Sequence, residues 1–326
     1  MAHKASRFTE HVLAYDLGGT KVAAGVMNSK GRILEEIRVP VALEQGKTAV
    51  INQLVEIGKK FLNRYPKIHR IGVASAGPLD PVKGMLLDPT NFASKTGTWG
   101  KVHLAGILKK KLKRQVFLEN DAAAAILAEH WVGSARKYKN AMILTLGTGL
   151  GTGIICNDSL VRAGRGLHPE AGHLIINHGD KSAPCGCGNF GCAEAYLSGR
   201  NFGKRASTKF MIKELSAEEI AALARQHDKS ALAAFEEYAL MMAIAIHNYV
   251  VIYAPEIVIF AGSFANASDL FIEKTSAHLE KMLIRRRASP DLMPGLTTSS
   301  LENRSGLIGG AYVAFNRNQL GVSAAK

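Results

Sequence analysis

The sequence predicts an α/β protein with two domains, on three observations. The chain has 326 residues, more than one hydrophobic core usually supports. Short apolar strands alternate with amphipathic helices along most of its length. One pattern, an apolar strand followed by a Gly/Thr turn and two further strands, begins near residue 12 and again near residue 141. This restart indicates an internal duplication of architecture.

Composition and charge restrict the class of protein. Hydrophobic residues make up 47% and charged residues 21%, as in soluble globular proteins. The sequence shows neither a long apolar span nor a signal peptide, so we expect a cytoplasmic protein that does not contact membranes. The net charge is +14, with basic runs at 109–114 and 285–287. These runs are either helix ends exposed to solvent or part of a binding site for an anionic ligand such as a nucleotide or polyphosphate. Basic patterns typical of nucleic-acid binding are missing.

The first half is predicted to begin with an antiparallel meander of three strands. A helix follows from Thr48, with apolar residues at helical spacing. The predicted elements are strands 12–18, 21–28 and 31–40, helix 48–65, strand 69–77, loop 88–100, helix 102–113, strand 115–121 and helix 122–133.

The second half is predicted to repeat the meander and then become mainly helical. Its predicted elements are strands 141–147, 154–158 and 159–164, helices 206–227 and 231–253, strand 255–262, and helices 268–284 and 306–319. We place the domain boundary within 122–140, which defines domains 1–122 and 123–305. The small residues of the last helix favour close packing, and we expect the segment 306–326 to return to the first domain.

Three of the four cysteines lie close together, at Cys185, Cys187 and Cys192. Clustered thiols in a reducing compartment tend to bind metal, and three thiolates with one imidazole form a closed tetrahedral zinc site. A disulfide with one spare thiol is the alternative. For the fourth ligand, spacing alone does not choose among the nearby histidines, which are His168, His173 and His178.

Two Gly/Thr turns, at 18–20 and 147–153, each join consecutive strands. Glycine lets backbone N–H groups approach phosphate oxygens closely. Neither turn matches the P-loop or the dinucleotide fingerprint, both of which open a helix. The pair therefore predicts a phosphate chain held from two sides. Asp16, just before the first turn, is a candidate Mg²⁺ ligand, or else a plain turn aspartate.

Asp121 is the predicted general base. It follows a buried strand, precedes an alanine-rich helix, and has Asn120 beside it to bind a hydroxyl group. A helix N-terminus keeps a carboxylate ionised, as an acceptor of a hydroxyl proton must be. A capping role for Asp121 is an alternative that does not exclude catalysis.

Together these motifs resemble the ROK (repressor, open reading frame, kinase) family of the hexokinase–actin–Hsp70 superfamily, over residues 12–316. The segment DLGGTK (16–21) is similar to the first phosphate motif, and LGTGLG (146–151) is similar to the second. Gly262-Ser263 stands where the adenosine motif lies. The pattern Cys185-x-Cys-Gly-x-x-Gly-Cys192-x-Glu194 is similar to the family's zinc signature.

The resemblance implies a two-domain actin-like ATPase fold of the hexokinase type, with ribonuclease-H-like duplicated domains and an interdomain cleft. It implies an ATP-dependent sugar kinase, with glucose phosphorylated on its 6-hydroxyl as the first choice. The alternative substrate is an N-acetylhexosamine, namely N-acetylglucosamine or N-acetylmannosamine. A sugar-responsive repressor is disfavoured, because about 11 residues before Val12 are too few for a winged helix. Implied cofactors are structural Zn²⁺ and Mg²⁺ with ATP, and a homodimer is expected.

The resemblance also implies a role for each matching residue. Trp99 shares a segment with the residues on the sugar side. His173 becomes the fourth zinc ligand by resemblance, not by spacing. The residues expected to bind the sugar are Gly77, Asn91, Asn120, Asp121, Glu170, His173 and Glu194. The residues expected to bind MgATP are Asp16, Gly18, Gly19, Thr20, Lys21, Gly147, Thr148, Gly149, Gly262 and Ser263. The expected zinc ligands are His173, Cys185, Cys187 and Cys192.

Overall fold

The structure, a computed structural model, describes residues 11–93, 97–164, 167–210, 215–284, 292–317 and 320. The chain forms two compact units. Unit 1 consists of the chain up to Val132, the segment Leu160–His168, and the chain from Arg304 onward. Unit 2 consists of Gly133–Ser159 and Pro169–Asn303. The boundary predicted between residues 122 and 123 falls inside a helix that belongs to unit 1.

The described part of the chain contains both strands and α-helices, with helices predominating between β11 and β12. The strands are β1 (His11–Leu17), β2 (Lys21–Asn28), β3 (Ile33–Pro40), β4 (Arg70–Ser75), β5 (Leu79–Asp80), β6 (Met85–Leu87), β7 (Lys101–Val102), β8 (Gln115–Asn120), β9 (Ala141–Leu146), β10 (Leu150–Cys156), β11 (Ser159–Leu160), β12 (Ile257–Ala261) and β13 (Gly295–Thr298). The helices are α1 (Lys47–Arg64), α2 (Leu104–Leu112), α3 (Asp121–Val132), α4 (Ala193–Leu197), α5 (Gly199–Lys209), α6 (Ala217–Arg225), α7 (Lys229–Tyr253), α8 (Ile272–Leu283) and α9 (Ser305–Asn316).

The main sheet of unit 1 has the order β3-β2-β1-β4-β8. The first three strands in the chain pair antiparallel, and β4 and β8 run parallel to β1. Helix α1 covers one face with an apolar stripe that includes Leu54 and Phe61. The buried Tyr15 hydroxyl donates to the Leu54 carbonyl at 3.0 Å. The predicted antiparallel meander is therefore present at the edge of this sheet.

The last helix, α9, packs on the same sheet through glycine. A Cβ on Gly72 of β4 would lie 1.8 Å from the carbonyl oxygen of Gly310, and one on Gly309 would lie 2.0 Å from that of Ala124 in α3. Backbones this close leave no room for a side chain at either position. The contact brings the N-terminus of α9 to the end of β1.

Unit 2 contains a second five-stranded sheet with the order β11-β10-β9-β12-β13. Strands β9 and β10 are antiparallel, and β12 and β13 run parallel to β9. The order repeats that of the main sheet in unit 1, as the duplicated sequence pattern predicts. Both sheets place a Gly/Thr turn between their first two strands.

Several element boundaries differ from the prediction. The third strand of the second meander is only Ser159–Leu160. The predicted helix 206–227 is two helices, because Ser216 starts α6 with a capping box to Glu219. The predicted helix 268–284 begins as a 3₁₀ segment, Ser263–Leu270, before α8. Strand β13 was not predicted, since four residues carry little periodicity. The basic run 285–287 lies outside the described residues.

Helix α7 is the longest helix in the described part of the chain. By length and composition it could cross a membrane, but half of its most apolar window is buried inside the protein. Phe235, Tyr238 and Tyr249 are among its buried side chains. We interpret α7 as a core helix of unit 2, since membrane-length apolar helices also occur in protein interiors.

Candidate active site and metal centre

The first Gly/Thr turn closes the β1–β2 hairpin of unit 1. The N–H of Gly18 donates to the carbonyl of Lys21 at 3.0 Å. A Cβ on Gly19 would lie 3.0 Å from the carbonyl oxygen of Asn91, so the turn and the predicted sugar-side residue Asn91 are neighbours. Thr20 and Lys21 are exposed. Their side chains are therefore accessible to a ligand.

Asp16 lies beside the N-terminus of α9. A Cβ on Gly306, in the first turn of that helix, would lie 2.6 Å from Oδ2 of Asp16. Desolvation raises the pKa of Asp16 to about 6, against the opposing effect of Arg38. A carboxylate oxygen here is the type of ligand that Mg²⁺ prefers.

Asn120 and Asp121 form the junction between β8 and α3. Oδ1 of Asn120 accepts the N–H groups of Ala122 at 2.9 Å and Ala123 at 3.1 Å, so Asn120 caps the helix. Asp121 is half-buried at the first position of α3, and its Oδ1 accepts the Ala122 N–H at 2.8 Å. The capping role considered for Asp121 thus falls largely to Asn120.

A buried ion pair that sequence reasoning missed supports this junction. Arg162 donates from Nη1 to Oε1 of Glu119 at 3.0 Å and from Nη2 to Oε2 at 2.5 Å. Glu119 is fully buried, and its Oε1 also accepts the N–H of Asn120 at 2.9 Å. The partners are 43 residues apart, so local sequence carries no signal of the pair.

The second Gly/Thr turn, between β9 and β10 in unit 2, meets the start of helix α5. The N–H of Gly199 donates to the carbonyl of Gly147 at 2.9 Å. Gly262 follows β12 with φ of 89°, and a Cβ there would lie 2.4 Å from the carbonyl oxygen of Leu146. The predicted second phosphate and adenosine motifs are therefore close neighbours. The start of α5, capped by Ser198, was not predicted as part of this region.

The predicted zinc ligands form one cluster. Ligand atoms of His173, Cys185, Cys187 and Cys192 all lie within 4.8 Å of one another. Nδ1 of His173 is 3.4 Å from Sγ of Cys185, and Sγ of Cys187 is 3.7 Å from Sγ of Cys192. With Zn–S near 2.3 Å and Zn–N near 2.0 Å, tetrahedral edges are roughly 3.5–3.8 Å. The donor set therefore fits Zn²⁺, and His168 and His178 are not part of the cluster.

The cysteine loop is anchored to the helices of unit 2. Asp180 accepts the Tyr196 hydroxyl at 2.7 Å and Nη1 of Arg205 at 3.3 Å. Hydrogen bonds from Ser182 and Tyr196 lower the pKa of Asp180 to about 2. Arg205 also pairs with Glu237 of α7 at 2.9 Å. The sequence did not reveal this network, because its members come from separate elements.

Glu170 and Glu194 lie beside the metal cluster, of which His173 is a member. Glu170 is exposed, and its carbonyl accepts the N–H of His173 at 3.0 Å. Desolvation raises the pKa of Glu170; His173 opposes the shift, and the nearby Glu194 adds to it. Oε2 of Glu194 accepts the N–H of Leu150 at 3.0 Å, and its Oε1 is 3.5 Å from Sγ of Cys185.

Two further residues on the predicted sugar side lie in the loops of unit 1. Gly77 follows β4 and is half-buried. Trp99 is buried, with its ring centroid 4.8 Å from that of Phe92. Phe92 directly follows Asn91, so the aromatic contact supports the loop on which Asn91 lies.

Comparison with known proteins identifies sugar kinases that are similar to this chain. A glucokinase from Thermotoga maritima is 28% identical over 94% of this chain and 98% of its own length. An N-acetyl-D-glucosamine kinase from Citrobacter koseri is 30% identical over 77% of this chain and 84% of its own. The crystal structure of a ROK hexokinase from Thermus thermophilus superposes with a TM-score of 0.81 at 30% identity, covering 94% of this chain and 99% of that one.

The described sheets and helices thus have the α/β, actin-like ATPase fold of ROK sugar kinases. The ROK family model matches residues 12–317, which is nearly the whole chain. The protein belongs to the ROK family.

Proposed function

We propose that the protein is a sugar kinase that transfers the γ-phosphoryl group of MgATP to the 6-hydroxyl of glucose. The observation that carries this proposal is the similarity to a glucokinase over nearly the full length of both chains. The residues that the family pattern requires are also present, among them exposed Thr20 and Lys21 in the first Gly/Thr turn and Asp121 at the start of α3.

In the proposed reaction, the oxygen of the sugar hydroxyl attacks the γ-phosphorus while its proton passes to Asp121, and the bond from the γ-phosphorus to the bridging oxygen breaks to release ADP. The first position of α3 favours the ionised carboxylate that this role needs. The Asn120 cap and the Glu119–Arg162 pair hold the backbone at this point. Catalysis then depends mainly on positioning and charge stabilisation.

We assign the triphosphate to the two Gly/Thr turns and the adenosine to Gly262-Ser263. Backbone N–H groups and threonine hydroxyls in the turns would bind phosphate oxygens. Asp16 would hold Mg²⁺, and Lys21 adds positive charge beside the first turn. When bound, Mg²⁺ neutralises charge on the phosphates.

For the sugar, we assign the residues that the family resemblance implies, namely Gly77, Asn91, Asn120, Glu170, His173 and Glu194. Since Nδ1 of His173 faces Cys185, Nε2 is the nitrogen left for a sugar hydroxyl. A structural Zn²⁺ on His173 and the three cysteines would fix that imidazole and hold the loop.

The second candidate is phosphorylation of an N-acetylhexosamine. It is favoured by the N-acetyl-D-glucosamine kinase relative, which has the higher identity over a shorter aligned segment. The two substrates differ in a 2-acetamido group, which a pocket accepts or rejects mainly by the space that it offers.

The deciding experiment measures MgATP-dependent ADP release by zinc-loaded protein with glucose, N-acetylglucosamine, N-acetylmannosamine, mannose, fructose and allose. We expect glucose to have the highest kcat/KM. A higher value for an N-acetylhexosamine would replace glucose with the second candidate. No turnover with any sugar would contradict the sugar-kinase proposal.

We also propose that the protein is a cytoplasmic homodimer, as the family resemblance implies. Sedimentation velocity at micromolar concentration would show a species of about twice the 35.0 kDa chain mass. A single 35.0 kDa species would contradict the dimer.

A further inference from the structure

The contacts of Glu194 go beyond the sugar-binding role assigned above. Its Oε2 accepts the N–H of Leu150 at 3.0 Å, at the point where the second Gly/Thr turn becomes β10. A Cβ on Gly149 would lie 2.6 Å from the same oxygen. The carboxylate is therefore pressed against the turn itself, and the bond orients the peptide between Gly149 and Leu150.

Other contacts also hold the second Gly/Thr turn and Leu150, the residue that follows Gly149. The N–H of Gly199 donates to the carbonyl of Gly147 at 2.9 Å. A Cβ on Gly172 would lie 2.2 Å from the carbonyl oxygen of Leu150. Gly172 directly precedes the zinc ligand His173, and the hydroxyl of Tyr249 donates to the preceding carbonyl, that of Ala171, at 2.9 Å. The cysteine loop thus reaches the turn by its backbone as well as through Glu194.

The backbone of Glu194 is fixed as well. Its carbonyl accepts Nδ2 of Asn201 at 3.0 Å. Helix α4 begins just after the zinc ligand Cys192, so the metal cluster sets the position of Glu194. The Oε2 bond to Leu150 then transmits that position to the second Gly/Thr turn.

We propose that Glu194 is a positioning residue for the nucleotide: it orders the second phosphate turn and so links the zinc cluster to nucleotide binding. An ordered turn binds an anion with a smaller loss of conformational entropy than a mobile one. The assignment of this turn to the triphosphate rests on the proposed function. The role predicts an effect on nucleotide affinity before any sugar is bound.

The test is calorimetric titration of zinc-loaded protein with MgADP in the absence of sugar. A hydrogen bond to a charged group contributes enough to stability that its loss should weaken MgADP binding by about tenfold in Glu194→Ala. Glu194→Gln keeps an acceptor oxygen of the same reach, and it should bind MgADP within about threefold of wild type. Zinc content and melting temperature are measured on each variant.

A second variant tests the contact without removing the carboxylate. The methyl group of Gly149→Ala would displace Oε2, and MgADP affinity should fall. If Gly149→Ala weakens MgADP binding by displacing the Glu194 carboxylate, adding Gly149→Ala to Glu194→Ala should weaken binding much less than Gly149→Ala does alone. The carboxylate is then already absent, so the two substitutions are not additive. The matched control is Gly179→Ala in the same loop. Its nearest atom would be 3.9 Å away, so it should bind MgADP like wild type.

Wild-type affinity in Glu194→Ala with intact zinc, or additive effects in the double variant, would overturn the proposal and leave Glu194 as a sugar ligand only. Tighter MgADP binding in Glu194→Ala would also overturn it. Wild-type protein that binds MgADP but phosphorylates no sugar would contradict the proposed function without affecting this comparison. Wild-type protein that does not bind MgADP would contradict both.

Discussion

Asp121 illustrates how one residue can combine a structural position with chemistry. As the first residue of α3 it lies in the field of the helix N-terminus, while Asn120 provides most of the cap. The capping of α3 therefore rests mainly on Asn120. A substitution that removes the charge of Asp121 should affect turnover far more than folding.

We predict that Asp121→Asn lowers kcat by at least about 100-fold, the usual contribution of a general base. Sugar affinity should stay within about threefold of wild type, because the amide keeps the shape of the side chain and one acceptor oxygen. Steady-state kinetics and sugar titration measure the two effects. Glu44→Gln, an exposed carboxylate of the same unit, is the control and should leave both unchanged. Retained turnover in Asp121→Asn would rule out the base assignment.

Asp16 gives a prediction about pH. Its folded-state pKa is raised from 3.8 to about 6, so folding favours its protonated form. Its ionisation therefore destabilises the protein progressively as pH rises from 4 through 6. Asp16→Asn should be more stable than wild type at pH 7.5, by roughly 1–3 kcal/mol, and this difference should disappear near pH 4. Chemical denaturation in Mg²⁺-free buffer at each pH measures it; a difference independent of pH would contradict the raised pKa.

At the level of structural elements, the cysteine loop is the segment that we propose is held by zinc. Cys187 is the exposed member of the cluster, so Cys187→Ser disturbs packing little while removing one of four predicted zinc ligands. We predict loss of zinc and weaker sugar binding, because Glu170 and His173 lie on this loop. Nucleotide affinity should fall less, since Gly199 also holds the second turn.

Metal analysis and separate titrations with sugar and MgADP measure these effects. Cys156→Ser is the matched control, because Cys156 lies in β10 outside the cluster. Its zinc content should match wild type. Full sugar affinity in a zinc-free Cys187→Ser protein would show that the metal does not organise the site.

Helix α9 should tolerate no side chain at the positions where it packs against other backbone. The methyl group of Gly309→Ala would lie 2.0 Å from a backbone carbonyl of α3, and a backbone atom cannot rotate away. We expect the free energy of unfolding to fall by about 1–3 kcal/mol or more, as in other overpacked cores. Gly164→Ala, whose Cβ would meet nothing within 4 Å, should leave stability unchanged. Equal stabilities in urea denaturation would mean that α9 does not pack this closely.

For the whole molecule, charge is divided unequally between the two units. Unit 1 contains 25 of the 41 Lys and Arg residues and 11 of the 27 Asp and Glu residues, a net charge of +14. Unit 2 contains the remaining 16 of each and is neutral. The basic excess therefore belongs to the unit that carries the first Gly/Thr turn, which we propose binds phosphate. A positive unit attracts anionic ligands at a distance.

We predict that the KM for MgATP rises severalfold between about 0.05 and 0.3 M salt, because the Debye length shortens over this range. The KM for a neutral sugar is the internal control and should change little. Parallel changes in both constants would point to a general salt effect on the enzyme. Unchanged constants would show that the charge of unit 1 has no part in nucleotide binding.

The sequence by itself determined the features that depend on neighbouring residues. Strand alternation predicted both meanders, and the Gly/Thr turns, the Asn120-Asp121 junction and the cysteine spacing marked the candidate site. These signals are local, since periodicity, turn conformation and metal-ligand spacing act within one element or loop. The choice of His173 among three histidines came from family resemblance, and the cluster geometry agrees with it.

Only the tertiary structure decided the contacts between distant segments. Glu119 meets Arg162, Glu194 meets Leu150, and α9 packs on β4 and α3 although most of the chain separates them. The net charge of unit 1 also depends on the fold, because 160–168 and the chain from Arg304 onward raise it from +9 for the chain up to Val132 to +14. Such contacts arise because burial and hydrogen bonding bring together residues that no local pattern relates.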